Sequence, residues 1–235
     1  MRMSRASDLI DRYYGSVLIG ERALETTIRE FLPPAATRML DAGCGDDAPF
    51  TRKFSRETSI VGIDLCQGLP RDLSVVCGDL SRLPFVDEAF SIVFSRSVFE
   101  HLVQPEKVMD EIHRSLKPGG ICLILTPNRY DYSSVIARFT PQRFHSWFIN
   151  RVYGSHSYDT FPTLYRANTP GYFKTLAARK RGWKIRKLTG LRHYPANFIF
   201  SRVLFRLGVL YDWGIAQFGW SALQPSLLVV LEKTS

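Results

Sequence analysis

The spacing of hydrophobic and polar positions changes along the chain. MLDA (39–42), preceded by Arg38, reads as a short buried strand; SIVGID (59–64) and SVVCGD (74–79) are β-branched runs that end in an acid; FSIVFS (90–95) and ICLILT (121–126) are nearly continuous apolar runs. Such runs suit parallel strands covered on both faces. Between the last two, PEKVMDEIHRSLKPGG places Val108, Met109, Ile112 and Leu116 at helical spacing. Pro105 marks its start, Glu106, Asp110 and Glu111 come early, Arg114 and Lys117 late, and Gly119 and Gly120 are expected to stop it. Another helix, ERALETTIREFL, precedes the first strand. This is a βαβ series, which predicts a doubly wound sheet with its site at the C-terminal ends of the strands.

After Pro127 the periodicity loosens into an aromatic, basic stretch. GWKIRKLTG (182–190) and PSLLVVLEK (225–233) read as a sixth and a seventh strand, centred near 183–189 and 226–232. The segment FIFSRVLFRLGVLYDWGIAQFGW (198–220) is apolar nearly all round and predicts a helix, against which Gly208, Gly214 and Gly219 count. Arg202, Arg206 and Asp212 in mid-run argue against its spanning a membrane.

At 235 residues, 45% of them hydrophobic and 23% charged, the chain reads as a single domain over 1–235, with a core at 35–128 and an insertion at 129–181. The N-terminus lacks an apolar stretch long enough for a signal peptide, so a cytoplasmic protein is expected. Cys44, Cys66, Cys77 and Cys122 are far apart and are expected to be reduced thiols. The net charge of +9 is uneven: Arg129 to Arg206 holds 15 Lys and Arg against only Asp131 and Asp159. Of the 30 aromatic residues, 21 lie between Tyr130 and Trp220. Two regions with different tasks are implied.

The first region carries the candidate chemistry. A glycine turn feeding a helix usually offers backbone N–H groups to an anion. In MLDAGCGDD (39–47), however, Asp46 and Asp47 occupy the place where a phosphate would sit. A nucleotide-like ligand with no pyrophosphate, and preferably a positive charge, suits the loop better. Asp41 ends the first strand, Gly43 and Gly45 make the turn, and Asp64 ends the second strand at the offset of a carboxylate that accepts from ribose hydroxyls. Those residues alone fit NAD equally well. Asp47 in place of a third glycine, and Asp79 at the end of the third strand, tilt the reading away from it.

The ordered blocks DAGCG, VGIDL, GDLSRLPFVDEAFSIVFSRSVFEHL and EIHRSLKPGGICLILTPN span residues 39–128. In them the chain resembles a class I S-adenosylmethionine-dependent methyltransferase of the type 11 group, which includes ubiquinone and menaquinone biosynthesis enzymes. The resemblance implies a Rossmann-like, mostly parallel seven-stranded sheet with an antiparallel last strand, and S-adenosylmethionine as cofactor. It implies that Asp41, Gly43 and Gly45 border the methionine part, that Asp64 takes the ribose hydroxyls with Leu65 beside it in the cofactor site, that Asp79 with Leu80 reads the adenine, and that Ser95, Arg96 and Ser97 line the pocket. Asp46-Asp47 departs from the group, whose members often continue the loop with another glycine. Tyr14 is expected either to close over the cofactor or to pack on the sheet. Methyl transfer needs alignment more than side-chain chemistry, and for a hydroxyl acceptor His101, just after the fourth strand, is the candidate base.

The basic, aromatic half decides the acceptor. As a lid, 129–181 would wall a pocket for a small or greasy acceptor with Tyr130, Tyr132, Trp147, Phe148 and Tyr165. As a surface, its arginines and aromatics, with those of 198–220, would bring the protein to an anionic inner membrane surface and a lipid-linked acceptor. Packing within the core or in a homodimer is the plainer reading of 198–220. Nucleic acid has less support, because SRSVF follows the fourth strand where base-methylating relatives carry Asn or Asp before Pro-Pro and an aromatic. His145, His156 and His193 lack partners at ligand spacing, so no metal site is expected. The expectation is methyl transfer to a small-molecule or lipid-linked metabolite, preferably at oxygen. The alternatives are a nucleic-acid methyltransferase or binding module and a non-catalytic cofactor-binding protein.

Overall fold

The computed structural model describes residues 12–15, 20–32, 37–65, 68–131, 162–179, 182–193, 195, 201–220 and 223–234. In chain order these form α1 (Gly20–Glu30), β1 (Arg38–Ala42), α2 (Pro49–Phe54), β2 (Ser59–Asp64), β3 (Val75–Cys77), a 3₁₀ turn (Leu80–Arg82), β4 (Phe90–Arg96), α3 (Pro105–Ser115), β5 (Leu116–Pro127), α4 (Pro170–Arg179), β6 (Trp183–Leu191), α5 (Arg202–Gln217) and β7 (Ser226–Lys233). The strands make one seven-stranded sheet in the order β3-β2-β1-β4-β5-β7-β6. From β3 to β5 neighbouring strands are parallel, and β7 runs antiparallel to both β5 and β6. The expected fold, a Rossmann-like sheet with an antiparallel last strand, is the fold observed.

The apolar runs fail to alternate because both faces of the sheet are buried. On one face Leu40, Val93, Ile124 and Val229 pack with Val108, Met109 and Ile112 of α3. On the other, Met39, Ile92, Phe94 and Leu123 meet Leu24 and Ile28 of α1 and Phe50 and Phe54 of α2. Reversal of strand order between β1 and β4 opens the crevice in which doubly wound sheets hold ligands.

Several boundaries need correction. The helix opened by Pro105 ends at Ser115, short of the glycines, and Leu116 already lies extended beside Phe90. Pro118 disfavours helical backbone at Lys117, and Gly119, at φ 75°, turns the chain into a bulge before Ile121 meets Ile92. β3 is shorter than expected. The expected lid shrinks at its end, because Phe173 and Leu176 of α4 are buried in the core that contains α3. Tyr132, His145, Trp147, Phe148, His156 and the other residues of 132–161 lie outside the described residues, as does Cys66.

Gly208 and Gly214 do not prevent α5 from forming. Ser201 caps it by accepting from the Leu204 N–H, and Gly219, at φ 67°, closes it with bonds from Gly219 N–H to Ala216 and from Trp220 N–H to Ile215.

Phe94 is fully buried, with ring centroids 5.9 Å from Phe50 and 6.2 Å from Phe54, so it joins β4 to α2 under the glycine loop. Phe94→Ala is expected to lower stability by about 3–5 kcal/mol in urea denaturation with an unchanged m-value. A loss below about 1 kcal/mol would mean that this aromatic contact does not hold α2 in place.

Candidate functional site

The tips of β1, β2 and β4 lie side by side, and the chain leaves each through a short loop. At the end of β1 the Asp41 carboxylate is buried, and Oδ2 accepts from the Thr51 N–H (3.1 Å) and hydroxyl (2.8 Å). One side chain thus fixes the start of α2 relative to β1, with the glycine loop between. Burial pushes the Asp41 carboxyl up to about 6, opposed by the Thr51 donors and the positive charge of Arg96.

Gly43, at φ 86°, donates to the Ile63 carbonyl at 2.8 Å, and Cys44 N–H reaches the same oxygen at 3.1 Å. A Cβ at Gly43 would meet Val98 Cγ2 at 2.1 Å, so only glycine lets the β1 and β4 loops approach this closely. Gly45, at φ 73°, donates its N–H to Asp64 Oδ2 at 2.8 Å. The loop is therefore held open by bonds from its own backbone to the tip of β2. Burial, together with the Asp41, Asp64 and Asp46 carboxylates, pushes the Cys44 thiol up to about 12. The three carboxylates around the loop favour a cation and disfavour a pyrophosphate.

The remaining predicted residues divide. Asp79 accepts from the Ser81 N–H at 2.8 Å and caps the 3₁₀ turn in which Leu80 is buried, while Leu65 is exposed. Ser95 is buried with its hydroxyl unpartnered, and Ser97 holds left-handed backbone (φ 54°) as its N–H donates to Leu125 at 2.9 Å. Arg96 turns toward the helices: its guanidinium pairs with Glu21 of α1 and stacks 5.2 Å from the Phe50 ring centroid. Tyr14 is buried, its hydroxyl donating to Asp212 of α5 at 3.1 Å and its ring beneath Arg192.

His101 sits in the turn after β4, partly exposed. Its Nδ1 is 3.3 Å from the Pro162 carbonyl and its Nε2 is 3.9 Å from Glu100 Oε1. With Nδ1–H donating to Pro162, Nε2 is the nitrogen that can take a proton. Glu100 is buried, and desolvation raises its carboxyl above the ordinary range. Its Oε2 accepts from the Thr126 hydroxyl at 3.2 Å, and that hydroxyl accepts in turn from Asn168 Nδ2. The Glu100 carbonyl also accepts from the N–H groups of Leu164 and Tyr165. Sequence reading did not assign this network. Its Thr126 and Asn168 members lie far from Glu100 in sequence, and only the sheet assembles them; an acid in an otherwise apolar SVFEHL turn was the available signal.

Comparison with known proteins bears on this edge of the sheet. Residues 40–124 match the methyltransferase domain family model. Over 122 residues the chain is 33% identical to the malonyl-[acyl-carrier protein] O-methyltransferase of Herminiimonas arsenicoxydans, spanning 48% of this chain and 46% of that protein. It is 31% identical over 123 residues to the biotin biosynthesis bifunctional protein BioHC of Cellvibrio japonicus, spanning 48% of this chain and 24% of that protein. The chain thus spans about half or less of the length of these curated relatives. The [4+2]-cyclase SpnF has the same fold, with a TM-score of 0.58 at 16% identity, over 99% of this chain and 94% of that one. Over residues 40–124 the chain is thus similar to methyltransferase domains, among them a probable S-adenosylmethionine-dependent methyltransferase of Mycolicibacterium smegmatis that is 30% identical over 107 residues, spanning 42% of this chain and 41% of that protein.

Proposed function

We propose that the protein transfers a methyl group from S-adenosylmethionine to an oxygen of a small or lipid-linked metabolite. The observation that carries the reading is the acidic cradle, in which Gly43 and Gly45 bring backbone beside Asp41 and Asp64 and leave no room for a phosphate's charge. When bound, S-adenosylmethionine supplies a methyl group on a cationic sulfur. The Asp64 carboxylate, fixed by the Gly45 N–H, accepts from the ribose hydroxyls; Asp79 and Leu80 border the adenine; Asp41 stands behind the loop as a buried negative charge. His101 Nε2 takes the acceptor's hydroxyl proton, and the neighbouring Glu100 carboxylate stabilises the imidazolium that results. Pro162 to Asn168 lies over this turn, so the segment leading into α4 shapes the acceptor side. An oxygen acceptor is consistent with the similarity to the Herminiimonas malonyl-[acyl-carrier protein] O-methyltransferase.

Calorimetry with adenosylhomocysteine tests the cradle. Asp64→Ala removes the ribose acceptor and the anchor of Gly45, and is expected to weaken binding by roughly 10- to 100-fold. Unchanged affinity, or NAD binding in its place, overturns the assignment. For the chemistry, methyl transfer from labelled S-adenosylmethionine to a panel of hydroxylated acceptors is expected to fall about a hundredfold in His101→Ala, with adenosylhomocysteine affinity retained. Full turnover in that variant would remove His101 from the reaction.

A pH titration separates charge from shape. The Asp41 carboxyl, raised to about 6 by burial, is mostly protonated below that value and ionised above it. A cationic ligand favours the ionised form, so S-adenosylmethionine affinity is expected to rise roughly tenfold from about pH 5 to about pH 7, and that of uncharged-sulfur adenosylhomocysteine much less. Parallel pH profiles for the two ligands would show that Asp41 does not sense the sulfonium.

A further inference from the structure

Helix α5 presents its sides in an unusual sense. Phe205, Gly208, Asp212 and Ile215 are buried, whereas Val203, Leu207, Leu210 and Trp213 are exposed, Leu210 by 62% and Trp213 by 55%. Phe218 and Trp220 extend the exposed apolar surface past the end of the helix. The only acid between Leu191 and Glu232 is Asp212, and it faces inward, accepting from Arg192 Nε at 2.7 Å and from Tyr14. What remains outside is apolar and basic, with Arg202 and Arg206 flanking the exposed stripe.

From this surface we infer that α5 is a peripheral membrane-docking helix that lies on anionic phospholipid and presents the methyl-transfer site to a lipid-linked acceptor. The proposal rests on the methyltransferase reading above and narrows its acceptor class. Charge selects the occupant. A second copy of this face offers Arg202 and Arg206 no exposed acid on the helix to pair with, whereas an anionic headgroup layer supplies the missing charge. The side-chain chemistry suits an interface: Leu and Val enter the acyl boundary, Trp213 and Trp220 settle at headgroup level, and arginines reach phosphate. At roughly 1.5 Å per residue, the helix offers a strip about 24 Å long. Among the described residues no helix is long and apolar enough to cross a membrane, so α5 lies along the surface.

Topology gives the docking a consequence. Leu191, the last residue of β6, pairs with Ser226, the first of β7, and Ser226 pairs with Pro127 at the end of β5. Residues 192–225 therefore leave and rejoin the sheet at the C-terminal edge of the parallel strands, the edge that carries Asp41, Asp64 and His101. Asn128 fastens the return of this excursion to β5, donating its N–H to Pro225 and its side-chain amide to Gln224. A bilayer under α5 would lie at the same end of the molecule as the cofactor cleft, so an acceptor anchored by a lipid tail could reach the site without leaving the membrane.

Flotation of the full chain with vesicles tests this. The protein is expected to float with phosphatidylcholine–phosphatidylglycerol vesicles at about 2:1 and low salt, weakly with phosphatidylcholine alone, and to be released as salt rises. Trp fluorescence should shift to shorter wavelength on binding. Arg202→Glu with Arg206→Glu, and separately Leu207→Gln with Leu210→Gln, are each expected to lower vesicle affinity about tenfold or more, because each alters only exposed groups. Adenosylhomocysteine calorimetry on the same samples separates the failures. Affinity for adenosylhomocysteine without flotation of the wild type overturns the docking helix alone, and so does a wild-type dimer that either double variant dissociates. Flotation without affinity for adenosylhomocysteine leaves the docking surface standing and overturns the methyl-transfer reading.

Discussion

The desolvated carboxylate of Asp41 is the constraint around which the ligand edge is built. A charge taken out of water at the end of a buried strand is costly unless it is hydrogen-bonded, and here two donors of one residue, Thr51, meet it. Thr51 lies in the first turn of α2, so satisfying the carboxylate dictates where that helix begins. The loop between has few remaining paths. It must turn through left-handed backbone at Gly43 and Gly45, pass against Val98 and hang its N–H groups on Ile63 and Asp64. Packing supports the arrangement from beneath, where Phe50 and Phe54 of α2 close on Phe94.

The same constraint explains how the site distinguishes ligands. Phosphate loops combine unpaired N–H groups with a helix N-terminus and no nearby anion. In this chain the N–H groups of Gly43, Cys44 and Gly45 are committed to Ile63 and Asp64, and the Asp41 and Asp64 carboxylates stand beside them. The acids that depart from the usual loop sequence, Asp46 and Asp47, deepen that field. The proposed ligand, an adenosine carrying positive charge, suits this surface better than a pyrophosphate does, although the underlying sheet could serve either.

Most of the fold was legible in the sequence because its physical causes are local. Strands buried on both faces write continuous apolar runs, which located β1, β2, β4, β5, β6 and β7 to within a residue or two except at the start of β5. Pro105 and the spacing of Val108, Met109 and Ile112 did the same for α3. The errors came where a rule competes with a neighbour. Glycines at 119 and 120 looked like the helix stop, but Pro118 acts earlier through the residue before it, and Phe90 offers Leu116 a strand partner. In the site, residues read from motif and strand end, such as Asp64 and Gly43, have close geometric reasons for their identity. Contacts that depend on distant segments were not legible: Glu100 needs Thr126 and Asn168, and Arg96 pairs with Glu21 and stacks on Phe50. Tyr14 donates to Asp212, 198 residues along the chain, a contact that no local pattern announces.

That Tyr14–Asp212 contact connects the two halves of the molecule in a way the charge distribution alone did not foretell. Uneven charge implied two regions with different tasks, one of them basic and aromatic. The structure shows the exchange that makes this possible: α5 buries its acid on Arg192 and Tyr14, and with the acid inside, its outward side is left without negative charge. An ordinary amphipathic helix would turn Asp212 to solvent and Leu210 to the core. The inversion places an unpaired buried charge in the protein unless Arg192 accompanies it, so the pair is a condition for the exposed apolar stripe rather than an addition to it. Because β6 ends and β7 begins at the edge that holds Asp41 and Asp64, the segment that carries this inverted helix leaves and rejoins the sheet at the end of the molecule where the acidic cradle lies.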